Sequence, residues 1–95
     1  MKMIVISSDG PALAYRVPDE VADALDEWCG DFCRWLWEGP ERERYIKNGV
    51  AHYVAEDFIE YLNRWKFPDE PSVLAADLGE GPLPEEFRDC PHYWF

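Results

Sequence analysis

From Lys2 to Ser7 the chain is rich in β-forming residues, and from Ala12 to Val17 the apolar Leu13, Tyr15 and Val17 alternate onto one face. Ser8-Asp9-Gly10-Pro11 between them supplies turn chemistry, so the pattern predicts a first β-hairpin. Pro18 cannot extend that ladder. Instead Pro18-Asp19-Glu20 reads as a helix start, because the fixed φ of proline suits a first turn and carboxylates favour the positive end of the helix dipole. From there Val21, Leu25, Trp28, Phe32 and Trp35 step by 4, 3, 4 and 3, the stripe of an amphipathic helix, widened by Ala22, Cys29, Cys33 and Leu36. The spacing predicts one long helix from near Asp19 to Gly39-Pro40.

After the charged connector Glu41 to Glu43, Asn48-Gly49 separates two strand-like runs, Arg44 to Lys47 and Val50 to Val54. Both turn residues tolerate positive φ, which is the type I′ preference, so a second hairpin is expected. Ala55 to Trp65 then puts Phe58, Leu62 and Trp65 on one side, with acids in its first turn and Arg64 and Lys66 at its end. That predicts a second amphipathic helix, stopped before Pro68. Ser72 to Leu78, introduced by Asp69-Glu70-Pro71 and closed by Gly79, reads as a short third helix. Beyond Glu80 the prolines allow little more than one turn around Pro84 to Arg88, and the aromatic end Tyr93-Trp94-Phe95 is expected to dock on the core. The expected fold is α+β, in a ββαββα order. The two antiparallel hairpins join into one four-stranded sheet, the two main helices cover one face, and the tail closes an edge.

Composition narrows the function. Ninety-five residues suit a single domain, here 1–95, and 47% hydrophobic residues with 16% aromatics exclude the disordered class despite a net charge of −11. That charge opposes direct nucleic-acid binding, which needs excess lysine and arginine to displace counterions. The apolar run at Met1 to Ile6 stops at Ser7, short of the ~7–15 residues of a signal-peptide core, and no segment reaches the ~18 of a membrane span. A cytoplasmic location, with no membrane and with reduced thiols, is the expectation.

The candidate chemistry lies mainly in one row of carboxylates. Glu20, Asp23, Glu27 and Asp31 step by 3, 4 and 4 along the outer face of the first helix, with Asp19 and Asp26 beside them and Arg34 as the one interruption. Like charges at that spacing oppose a helix by ~0.2–0.5 kcal/mol per pair, so a row kept for stability alone would carry interleaved lysines. Its bland reading is a solvated face; its sharper reading is a docking surface for a basic partner. Trp37, just off the buried stripe, is a candidate aromatic anchor for such an interface. Cys29, Cys33, Cys90 and His92 would make a zinc set on paper. Their spacing is no zinc knuckle, and the first two read more simply as small buried residues, so no metal and no cofactor are expected. Neither His52, His92 nor the serines has a catalytic context, and there is no phosphate-cradling glycine loop; no enzymatic activity is expected.

The hairpin at Asn48-Gly49, Tyr53, the run Asp57-Phe58-Ile59-Glu60-Tyr61-Leu62-Asn63 and the aromatic end Tyr93-Trp94-Phe95 together resemble a group of small, acidic, uncharacterised bacterial proteins. The resemblance carries no activity and no site residues. By type it is shared with immunity proteins that neutralise secreted toxins and with phage-encoded inhibitors of bacterial defence. The expected function is a non-catalytic protein-binding module, an immunity-type or inhibitor protein directed at a basic nuclease or nucleic-acid-binding enzyme. The alternative is a structural, self-associating domain with an aromatic interface.

Overall fold

In a computed structural model, which describes residues 1–8 and 10–95, the first hairpin forms as its alternation predicts. Strands β1 (Lys2–Ser7) and β2 (Ala12–Val17) pair antiparallel from Lys2↔Val17 to Ile6↔Leu13. The part of the turn reading that falls on Asp9 lies outside the described residues. Ile4, Ile6, Tyr15 and Val17 share the face that enters the core, while Val5 and Ala14, both 0% exposed, lie on the other.

The long first helix divides. α1 (Asp19–Asp23) and α2 (Leu25–Glu38) meet at Ala24, whose φ of −138° and ψ of 45° serve as the end of one and the start of the other. Alanine is the best helix former, so nothing local asks for this break and the periodicity runs through it unaltered. The buried line is Val21 and Ala22, then Leu25, Cys29, Phe32 and Leu36, while Trp28, Trp35 and Cys33 flank it half-buried.

The second hairpin does not join the first. A short helix α3 (Arg42–Tyr45) takes up half of its expected first strand, and β3 (Ile46–Lys47) and β4 (Val50–Ala51) make a separate two-residue ladder. Asn48 and Gly49 at its tip have φ of 52° and 76°, the positive values a type I′ turn requires. Tyr45, only 4% exposed, is held against Trp35 at 5.8 Å, so the residue is worth more to the core inside a helical turn than in a strand.

Helix α4 (Ala55–Tyr61) starts where the Asp57 carboxylate accepts the Val54 N–H at 2.9 Å and Ser8 Oγ accepts the Ala55 N–H at 3.0 Å. Phe58 and Leu62 are buried as expected. From Leu62 to Lys66 the coil widens into a π-turn, closed by the Phe67 N–H donating to the Leu62 carbonyl at 2.6 Å, and Trp65 is left 43% exposed.

Ser72 to Leu78 is not a helix. It becomes β5 (Val73–Gly79), antiparallel to β2, and the tail supplies β6 (His92–Trp94), parallel to β1. The main sheet is therefore mixed, in the order β5-β2-β1-β6, and both outer strands come from chain that local propensity left without strands. Asn63 fixes where β5 begins, donating its side-chain amide to the Ser72 carbonyl at 3.0 Å and accepting the Ser72 N–H at 2.6 Å. A single 3-10 turn at Glu85–Phe87 is the one regular piece between the two strands.

Two of the three aromatic residues at the end dock as expected, Tyr93 and Phe95, while Trp94 is left 60% exposed: the Phe95 N–H donates to the Ser7 carbonyl at 2.8 Å, and the Phe95 ring meets Phe32, Tyr53, Phe58 and Tyr93 at 4.9–5.9 Å. Phe32 is the hub of this cluster, with Trp35 and Tyr61 on its other sides at 6.2 and 5.4 Å. The architecture is α+β, with the helices on the sheet face that carries Ile4, Ile6, Tyr15 and Val17.

Candidate protein-binding surface

Burial of Val21, Ala22, Leu25, Cys29 and Phe32 leaves Glu20, Asp23, Glu27 and Asp31 exposed, as amphipathic spacing requires. They do not lie on one helix. Glu20 and Asp23 stand on α1 and Glu27 and Asp31 on α2, so the even 3, 4, 4 spacing is interrupted at Ala24.

Two of the four carry a cation: Lys2 Nζ lies 2.6 Å from Asp23 and Arg34 3.2 Å from Asp31, while the N-terminal amine holds the adjacent Asp19 at 3.0 Å. The Lys2 ammonium is accordingly pushed above its ordinary pKa, first by its hydrogen bond to Asp23 and then by the charge of that carboxylate. Glu20, Asp26 and Glu27 have no ion pair among the described residues.

Trp37 is 42% exposed, near the C-terminal end of α2, with the Arg42 guanidinium 6.0 Å above its ring. At about 100° per residue it stands about 120° from Asp31 and about 80° from Glu27 around the helix axis, to one side of the two carboxylates of α2.

Several of the remaining cations are engaged by the protein's own groups. Arg44 and Arg64 both pair with Glu41 and Glu60 across α3 and α4, and guanidinium or ammonium groups lie over Tyr45, Trp65 and Tyr61 at 5.2–5.7 Å. Arg16 and Lys47 have no such partner among the described residues.

Strand alternation in β6 turns His92 and Tyr93 to opposite faces of the sheet. Tyr93, in register with Ile6, turns toward Cys29 and Cys33, and its hydroxyl is pushed above its ordinary pKa by burial first and by those cysteines next; His92, in register with Val5, belongs to the opposite face and stacks on Trp94 at 6.3 Å. Among the described residues no group of three or more His, Cys, Asp or Glu side chains stands where it could hold a metal ion. Burial pushes the Cys29 thiol far up, away from a reactive thiolate. Tyr53 is pushed up to about 12, by burial first and then by the neighbouring Cys33.

A second region escaped sequence reasoning. β5 contributes Asp77 to a depression whose other walls are Pro11 and Leu13 at the start of β2 and Val54, Ala55 and Glu56 at the start of α4, and Val73 and Leu74 are 51% and 55% exposed farther along the strand. Its signal was the apolar run Val73-Leu74-Ala75-Ala76, which the helix reading absorbed.

Among the described residues no helix is long and apolar enough to cross a membrane. No protein-family model, no curated protein and no solved structure matches the chain.

Proposed function

We propose that this protein is a non-catalytic binding module that presents the exposed carboxylates of α1 and α2 to a basic protein partner. The partner class that fits is a nuclease or another nucleic-acid-binding enzyme, whose cationic site an immunity-type or inhibitor protein would cover. The observation that carries this reading is the uneven use of cations. Glu41 and Glu60 share two arginines, whereas Glu20, Asp26 and Glu27 stand exposed without an ion pair among the described residues. Such a field accelerates encounter with a positive patch and discriminates against acidic competitors, nucleic acid included.

The test is affinity capture with the tagged protein from the lysate of its native cell, at low salt and at about 1 M salt, where the Debye length falls to ~3 Å. A basic protein recovered at low salt and lost at high salt is the expected result. Recovery of the protein itself alone, unaffected by salt, would replace this reading by the second one, self-association through aromatic side chains. The exposure of Trp37, Trp65 and Trp94, at 42%, 43% and 60%, is the observation favouring that second reading.

A further inference from the structure

Edge strands are usually kept short or blunted by lysine or proline, because their outward N–H and C=O groups template pairing with another chain. β5 is seven residues long, has neither residue within it, and no strand covers its outer side among the described residues. Its register with β2 skips at two places, so that Ala75 and Leu78 are extra residues and the edge is cut into two short runs, Val73–Leu74 and Ala76–Asp77. Long, flat pairing is thereby discouraged while a short segment can still be accepted.

The second run adjoins the depression, of about 320 Å³, whose apolar wall is Pro11, Leu13, Val54 and Ala55 and whose charged lining is Glu56 and Asp77. Asp77 shares the helix-side face of the sheet with Leu13, and its Oδ1 accepts the Gly79 N–H at 3.0 Å, which orients the carboxylate and leaves its other oxygen available. An apolar wall beside two carboxylates suits the aliphatic stem and cationic head of a lysine or arginine.

We propose that the edge of β5 at Ala76–Asp77 takes a short extended segment of a basic polypeptide by strand addition, with one lysine or arginine side chain seated in the depression lined by Glu56 and Asp77. Backbone hydrogen bonds supply the docking and the pocket selects the side chain that alternates into it. A second copy of this chain is the poorer occupant, since it brings the same carboxylates and a net charge of −11 to the contact. The proposal does not depend on the α1–α2 carboxylates having a partner.

The test is an amide chemical-shift titration of the intact protein with a capped pentapeptide in which threonine and valine flank one central lysine. Matched peptides carry glutamate at the centre, or N-methyl groups on alternate backbone amides. The lysine peptide is expected to shift Ala76, Asp77, Leu78 and Glu56 saturably, the glutamate peptide to bind at least about tenfold more weakly, and the N-methylated peptide not to bind. The double variant Glu56→Gln with Asp77→Asn, which keeps the acceptor for Gly79, should lose the preference for lysine with its other resonances in place. An absence of saturable shifts at millimolar peptide would overturn the proposal. So would an equal response to glutamate, shifts confined to α1 and α2, or concentration-dependent shifts of β5 without peptide, which would assign the edge to a second copy.

Discussion

The α1–α2 flank and the α3–α4 face are both rich in carboxylates, and they use them differently. On the second, Glu41 and Glu60 each meet Arg44 and Arg64, so the residue before α3, α3 itself, α4 and the π-turn after it are fastened by four side chains. On the first, Asp23 and Asp31 hold one cation each, and Glu20, Asp26 and Glu27 hold none among the described residues. Charges that fasten elements together are arranged in alternation; charges that repel one another along a helix are retained at some cost to it. On the flank the Lys2–Asp23 pair ties β1 to α1 and Arg34 holds Asp31 within α2, while the carboxylates between them repel one another without a cation.

Both regions rest on the ring of Phe32, and the largest effect should come from removing it. Phe32→Ala is expected to cost about 3–5 kcal/mol, read as a lower urea midpoint with no dependence on salt, because it empties the centre of the aromatic cluster under both faces. Asn63→Ala should cost about 1–2 kcal/mol by breaking the paired amide bonds to Ser72. Hydrogen exchange should then quicken in β5 and leave β1 protected.

Alkaline pH tests the cluster without a substitution. Burial raises Tyr15, Tyr45, Tyr53, Tyr61 and Tyr93 above their ordinary value near 10, Tyr53 to about 12, so the folded state holds these protons more tightly than the unfolded chain does. The stabilisation is fully present below pH 10 and is lost as the pH rises through about 12. Urea midpoints measured from neutral pH upward should fall across that window, less steeply in Tyr53→Phe.

Smaller effects separate the two acidic regions directly. Glu41→Gln should cost about 0.2–1 kcal/mol through the pair it forms with Arg64, and the loss should shrink at high salt. Replacing Glu20, Asp23, Glu27 and Asp31 together by their amides should change the urea midpoint little, because relief of the repulsion along the row offsets loss of the Lys2–Asp23 and Arg34–Asp31 pairs. A clear loss of stability there would make the flank a structural feature after all.

Legibility in the sequence followed the range of the interactions. β1 and β2 are joined by a short turn, and the alternation of Leu13, Tyr15 and Val17 carries their pairing within a few residues. The tip of the second hairpin was equally local, since Asn48 and Gly49 declare their positive φ. What those signals could not carry is that the second ladder would stop at two residue pairs and stay apart from the first sheet, because Tyr45 is drawn to Trp35.

β5 was hidden for the same reason. Ala75, Ala76 and Leu78 favour a helix locally, and only β2, about sixty residues earlier in the chain, makes them a strand. The carboxylate row was readable as exposed but not as divided, because Ala24 gives no sign of the break it makes.

The most direct measurement is the dissociation constant of the captured basic partner for the native protein and for the variant carrying Glu20→Gln, Asp23→Asn, Glu27→Gln and Asp31→Asn, at low salt and with both proteins shown to be folded. A loss of affinity of at least about tenfold in the variant is the predicted result. Equal affinity would contradict a function in which the α1–α2 carboxylates meet the partner, and would return them to the role of a solvated surface.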